Sequence, residues 1–226
     1  LSLWGSDLLG SYSSLSTWCA NRCDEVIVMS EQMAGELDRD THVIPHGVDT
    51  TTFSPAPQAA ARDALGWDRA SRIVLFPYDP NRPIKNFARA RSVVDTVAER
   101  LDDRVELRTI TGVDHETVPR YMNAADVMVL TSRREGSPNT VKEALACNCP
   151  VVSTDVGDVS EYVDDLDHSA VCADDDELVD SLLATLRAAP VTEGREQVLD
   201  LGLGEMAKNI VSVYREAGAT GVQIDG

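Results

Sequence analysis

The chain has 226 residues, of which 43% are apolar and 26% charged, and its formal net charge is −18. That length and apolar content can bury the core of one large domain, or of one domain and part of another. The acidity excludes the basic footprint of a nucleic-acid binder and disfavours adhesion to an anionic membrane, so peripheral association is the most that is expected there.

No apolar run approaches the ~20 residues of a membrane-spanning helix. Only three lysines (Lys85, Lys142, Lys208) stand against seventeen arginines. Acid-rich, lysine-poor composition points to a halophilic source, where molar salt screens self-repulsion. Of the five cysteines, Cys19 and Cys23 lie one helical turn apart and Cys147 and Cys149 form C-x-C. Neither pair has a second pair at zinc spacing, so buried reduced thiols, a cytoplasmic location and no metal are expected.

Taken in chain order, Leu1–Trp4 reads as the end of a strand, opening without Met as a truncated or processed chain would. Further strands are expected at Glu25–Met29, His42–Ile44, Ile73–Phe76, Val105–Thr109, Asp126–Leu130 and Val151–Ser153. They are short, rich in Val and Ile and mostly non-alternating, as strands covered on both faces are. Asp49–Gln58 carries two prolines flanked by Thr and Ser and reads as a linker. Helical periods separate the later strands: Phe87, Ala90, Val94, Val97 and Leu101, then Leu203, Met206, Ile210 and Tyr214. The acidic stretch Asp164–Asp180 reads as solvated helix and loop. Alternating strands and helices predict an α/β fold with a parallel, Rossmann-like sheet.

Two loops carry the chemistry. The run Glu135-Gly-Ser-Pro-Asn-Thr-Val-Lys-Glu143 follows a strand and opens a helix. Ser137 suits the N-cap and Pro138 the first helical position. Amides of Gly136, Ser137 and Asn139 at that N-terminus would meet a diphosphate. Glu135 falls at the carboxyl end of the strand, the ligand edge of open α/β sheets, and Glu143 one turn further in suits a sugar diol. Alone, both glutamates also fit surface positions on a capped helix. The second loop, Pro77–Asn86, places Arg82 and Lys85 on the same edge ahead of a helix capped by Asn86. Two cations facing a helix N-terminus make a diphosphate clamp.

These residues carry a family resemblance. Glu135 to Glu143 with the following Ala-Leu-Ala-Cys-Asn-Cys-Pro-Val-Val-Ser resembles the E-x7-E signature of retaining GT-B glycosyltransferases of family 4. Val43–Asp49 through Phe53-Ser-Pro resembles that family's interdomain hinge, and Val118–Ser132 matches as well. With Val156-Gly-Asp-Val159, the pattern is most similar to transferases of the teichuronic-acid type. The resemblance implies a nucleotide diphosphate sugar as donor substrate, a glycan or lipid-linked acceptor, and no further cofactor. Glu135 would contact the sugar and Glu143 the ribose diol, while Arg82 and Lys85 neutralise the leaving diphosphate. Arg82 stands beyond the family's usual arginine position, which is Pro80 here. Residues 1–50 would be the remnant of an N-terminal acceptor-side domain, 54–203 the nucleotide-sugar-binding domain, and 204–226 a helix packing back. Trp4 stands where many members have histidine, and His46 replaces the hinge asparagine. His115 and His168 read as surface residues, and Glu161 fits either a donor contact or a helix surface. A non-catalytic nucleotide-sugar-binding fragment and a GT-B-fold epimerase are the rival readings.

Overall fold

The computed structural model describes residues 1–188 and 193–218. The end of the expected C-terminal helix region, 219–226, lies outside the described residues. The first elements are α1 (Gly5–Leu8), α2 (Ser13–Ala20), β1 (Ile27–Val28), α3 (Glu31–Ala34) and β2 (His42–Val43). Next come α4 (Gln58–Leu65), β3 (Arg72–Phe76), α5 (Phe87–Arg100), β4 (Val105–Thr109), α6 (Val118–Ala124) and β5 (Val127–Leu130). The chain continues through α7 (Asn139–Ala146), β6 (Val151–Thr154), α8 (Val159–Val163), β7 (Ala170–Cys172), α9 (Asp175–Ala188) and α10 (Leu203–Glu216).

Strands β3 to β7 form one parallel sheet in the order β4-β3-β5-β6-β7, while β1 and β2 pair separately, also in parallel. Central strands β5 and β6 are buried at every residue, which requires cover on both faces and explains their unalternating sequence. α5 covers the sheet with Ala90, Val93, Val94 and Val97, and α9 with Leu178, Leu182 and Leu186. At the edge, β4 is half-buried throughout and carries Glu106 and Arg108, charges that keep an edge strand from pairing further.

Several expectations change. Leu1–Trp4 makes only one parallel bridge, Ser2 to Ile27, before α1 begins. The acidic stretch from Asp164 contains β7, a fifth strand whose three residues, Ala-Val-Cys, are too few to show a period. Leu203 and Tyr214 are exposed, and α10 instead turns Met206, Ile210 and Val213 inward.

Two apolar clusters organise the chain. One gathers Leu3, Leu8, Val26–Met29, Met33 and Ile44 with Val213 of α10, and the other runs from Val48 to Val198 around the larger sheet. The clusters part between Ile44 and Val48. The segment expected as a linker belongs to the second: Phe53 is buried, and Arg195 grips the carbonyls of Thr50, Phe53 and Ala146 at 2.7–2.8 Å. All five cysteines are free thiols, and burial pushes that of Cys147 up to about 12, where it is unreactive at neutral pH.

Candidate active site

The loop after β3 ends in a 3-10 turn, Pro83–Lys85, followed by Asn86 at φ 55°. Asn86 occupies the N-cap position of α5 but its side chain makes no capping bond, contrary to the sequence expectation. Its left-handed backbone redirects the chain and buries Lys85 against the carboxyl end of the sheet. The loop after β5 is stitched to it. Arg133 N donates to Ile84 O at 2.9 Å, and Thr131 Oγ1 donates to the carbonyls of Lys85 and Asn86 at 3.2 Å.

These ties bring Lys85 and Glu135 together, with Nζ 2.5 Å from Oε1. The ammonium also sits 3.8 Å from the centre of the Tyr78 ring, whose hydroxyl meets Thr140 Oγ1 of α7 at 2.5 Å. Burial lowers the Lys85 pKa, and the neighbouring Glu135 carboxylate opposes the shift. Tyr78 is buried between the two loops, so burial first, and then Glu135 and Glu143, hold its hydroxyl protonated. Arg82 is exposed above the same ring, 5.6 Å from its centre.

Lys85, Glu135, Arg82, Gly136 and Ser137 share a cleft of about 370 Å³. Its opposite wall comes from the N-terminal segment, with Trp4, Gly5 and Met29, and from the joining segment, with His46. Trp4 and His46 pack ring on ring, centroids 4.3 Å apart. Burial, then the charge of Lys142, depresses the His46 pKa, so its imidazole is neutral at neutral pH. Here the start of α1 and two loops touch through their backbones. A Cβ on Gly5 would lie 2.9 Å from Gly136 N, and one on Gly157 would lie 2.7 Å from Gly136 O.

Ser137 does not cap α7. Its hydroxyl donates to Asp158 Oδ2 at 2.6 Å and accepts from Lys142 Nζ at 2.5 Å. Pro138 takes the N-cap position, and no side chain caps the helix. The amides at the start of α7 are therefore left for a ligand or solvent. Asn139 is exposed and, with Glu143, lies outside the cleft lining. Glu143 is buried and its carboxylate meets His115 Nε2 at 3.1 Å. Burial raises its pKa, and the hydrogen bond and charge of His115 act against the rise. His115, read from sequence as a surface residue, packs edge-on against Phe53 at 5.1 Å while its ring stays largely exposed. No local sequence pattern signals this pairing, because His115 stands in the turn before α6 and Glu143 within α7, 28 positions apart.

A larger cleft, about 560 Å³, opens at the other ends of the strands, among Arg62, Arg72, Asp126, Cys147 and Pro150. Arg62 is buried there, bonded to Asp126 and to the carbonyls of Ala124, Arg69 and Ser71. Those are amino ends, and in open parallel sheets the ligand crevice lies outside the carboxyl ends. The cleft at Lys85 is the candidate.

Residues 80–188, which contain Lys85, Glu135 and Glu143, match the family described as glycosyl transferases group 1. They are a glycosyl transferases group 1 domain. The lipopolysaccharide core biosynthesis mannosyltransferase LpsB of Rhizobium meliloti is 31% identical over 179 residues, 67% of this chain and 51% of that protein. The chain thus spans about half the length of LpsB. A putative teichuronic acid biosynthesis glycosyltransferase of Bacillus subtilis is 52% identical over 52 residues, 23% of this chain and 13% of that one. Among solved structures, Anabaena HepE in complex with UDP superposes with a TM-score of 0.69 at 18% identity, covering 90% of this chain and 67% of that one. The group 1 domain therefore sits in a fold of GT-B type. Among the described residues, no helix is long and apolar enough to cross a membrane, and no cluster of metal-binding side chains is found.

Proposed function

We propose that this chain is the donor side of a glycosyltransferase, moving a hexose-type unit from a nucleotide diphosphate sugar to a glycan or lipid-linked acceptor with retention of configuration. The observation that carries the reading is the meeting of Lys85, Glu135 and the uncapped start of α7 at the carboxyl edge of the parallel sheet. A leaving diphosphate bears charge that must be stabilised as the sugar bond breaks, and a pre-placed cation with helix-end amides supplies this without reorganisation. Lys85 and Arg82 would take the diphosphate, with amides of Gly136, Ser137 and Asn139. Glu135 would leave Lys85 for the sugar hydroxyls when the donor arrives. Glu143, held outside the cleft with His115, would bind the ribose diol. In this scheme catalysis is positioning and charge stabilisation, with no metal and no side-chain nucleophile.

The family match within residues 80–188 and the resemblance of Glu135–Glu143 to the E-x7-E signature support this reading over an epimerase. Residues 54–203 would form the donor domain and 1–50 part of an acceptor-side domain, acting in a cytoplasmic enzyme without nucleic-acid partners. The test is release of nucleoside diphosphate from UDP- and GDP-sugars, with and without added glycan or lipid-linked acceptor. Acceptor-dependent release is expected of the protein joined to a complete acceptor domain. Conversion of the donor into its epimer without release would overturn the reading.

A further inference from the structure

Lys142 is one of only three lysines, and its side chain has no solvent exposure. Nothing in the transfer scheme uses it. Its Nζ donates to Ser137 Oγ at 2.5 Å and to the carbonyl of His46 at 3.1 Å, and lies 3.5 Å from Asp158 Oδ2. Asp158, equally buried, accepts from Ser137 Oγ at 2.6 Å and from the Tyr162 hydroxyl at 2.9 Å, while its Oδ1 is buried without a hydrogen-bond partner. Stability alone does not account for such a pair. Buried ion pairs are often matched or bettered by apolar residues of like volume, and an unpartnered carboxylate oxygen adds to the cost.

What the pair does is join three segments. Ser137 belongs to the loop opening α7, His46 to the stretch joining the two apolar clusters, and Asp158 to the turn between β6 and α8. Two of these segments, those of Ser137 and His46, line the cleft, and the third closes on the first from behind, where a Cβ on Gly157 would lie 2.7 Å from Gly136 O. Held between an ammonium and a carboxylate, the Ser137 hydroxyl is turned away from the first amides of α7. A serine in this place would otherwise compete for those amides as a cap.

We propose that Lys142, with Asp158, is a positioning residue of the donor site: the pair locks Ser137 and the His46 carbonyl so that the loop 135–138 and the open start of α7 face the donor diphosphate. The proposal rests on reading the Lys85 cleft as the donor site.

The test replaces both charges at once, Lys142→Met with Asp158→Asn, and measures melting together with calorimetric affinity for UDP, GDP and the corresponding nucleosides. The double variant is expected to melt within a few degrees of the wild type, since neither charge is left unpaired. Its affinity for the diphosphate that the wild type binds should fall at least tenfold, with nucleoside affinity unchanged. Diphosphate affinity kept within twofold would overturn the proposal, leaving the pair a purely structural one. Should the double variant fail to fold, Asp158→Asn alone decides. The groups facing Lys142 are Asp158, Glu161 and Tyr162 from the turn and α8, and the His46 ring from the joining stretch. Without the Asp158 charge the buried ammonium loses its proton at lower pH, so diphosphate affinity should fall with rising pH across a range where the wild type is flat. A profile parallel to the wild type would overturn the proposal. Absence of any UDP or GDP binding by the wild type would instead overturn the donor-site reading, and this proposal with it.

Discussion

Lys85 and Glu143 are both short of water, and burial acts on their charges in opposite chemical directions: it favours a neutral amine in one and a protonated carboxyl in the other. Each is answered by one partner, Glu135 and His115 respectively. If Lys85 faces the diphosphate, Lys85→Ala should weaken nucleoside diphosphate binding by about tenfold or more, in line with the ~1.5–3 kcal/mol of a charged hydrogen bond, and leave nucleoside binding nearly unchanged. Equal losses for both ligands would remove the phosphate assignment. Glu143→Ala should weaken both ligands alike, because the ribose is common to them, and calorimetry on the same pair of ligands checks it. The Glu143 carboxyl also gives a pH dependence. Its folded pKa is raised, so the folded state holds more protons than the unfolded one and stability falls as pH rises through that range. Removing the opposing His115 should raise the pKa further. The melting curve of His115→Ala is therefore expected to match the wild type in acid and to fall below it as pH rises. The gap should stay at about 1 kcal/mol or less, since the imidazole is mostly solvent-facing. At this scale the sequence showed which residues stand at the sheet edge, because loop position follows from strand order. It did not show the partners: Glu135 for Lys85, His115 for Glu143 and Asp158 for Lys142 are all contacts between segments separated in the chain, two of them reaching from a loop or turn to α7.

Elements were legible wherever a run was long or strongly apolar. Val105–Thr109 forms β4 as read, and α5 buries a face that includes Ala90, Val94 and Val97. β7 escaped because three residues carry no period, and the cap of α7 was misjudged because Ser137 meets a lysine and an aspartate that its local sequence does not place beside it. The loops between elements hold the tightest constraint. Gly157 adopts φ 61°, and a Cβ there would sit 2.7 Å from the Gly136 carbonyl oxygen. An L-residue in the left-handed region costs roughly 1–2 kcal/mol before any clash is counted. Gly157→Ala should therefore lower stability by about 2 kcal/mol or more, read by denaturant unfolding at constant m-value. Since the displaced atom belongs to the loop of Glu135, diphosphate affinity should drop in the same variant. Retained affinity would mean that this loop is not held by its neighbours.

At the scale of the whole molecule, the alternation of strands and helices was enough to read a parallel α/β sheet, but not where the two apolar clusters part. Phe53, hidden in a stretch of Thr, Ser and Pro, is buried in the second cluster, and only packing reveals that. Charge is the other whole-molecule property, and it yields a prediction independent of the site. Two of the three lysines, Lys85 and Lys142, are buried, which leaves Lys208 and the arginines to balance the exposed acids of a chain whose net charge is −18. Surface ion pairs such as Arg69 with Asp63 and Arg72 with Asp103 contribute little, and salt weakens them. Salt also screens the repulsion among the unpaired carboxylates. With so many more acids than bases, that second effect should dominate. The melting midpoint at neutral pH is therefore expected to rise by about 5 °C between ~0.1 M and ~2 M KCl, where the screening length shrinks from about 10 Å to a few ångströms. If charge is the cause, the rise must shrink as the pH approaches the isoelectric point of about 4.4, where repulsion vanishes. A midpoint that is flat or falls in KCl at neutral pH would sink the halophilic reading. A rise of the same size near the isoelectric point would assign the effect to salting-out of apolar surface instead.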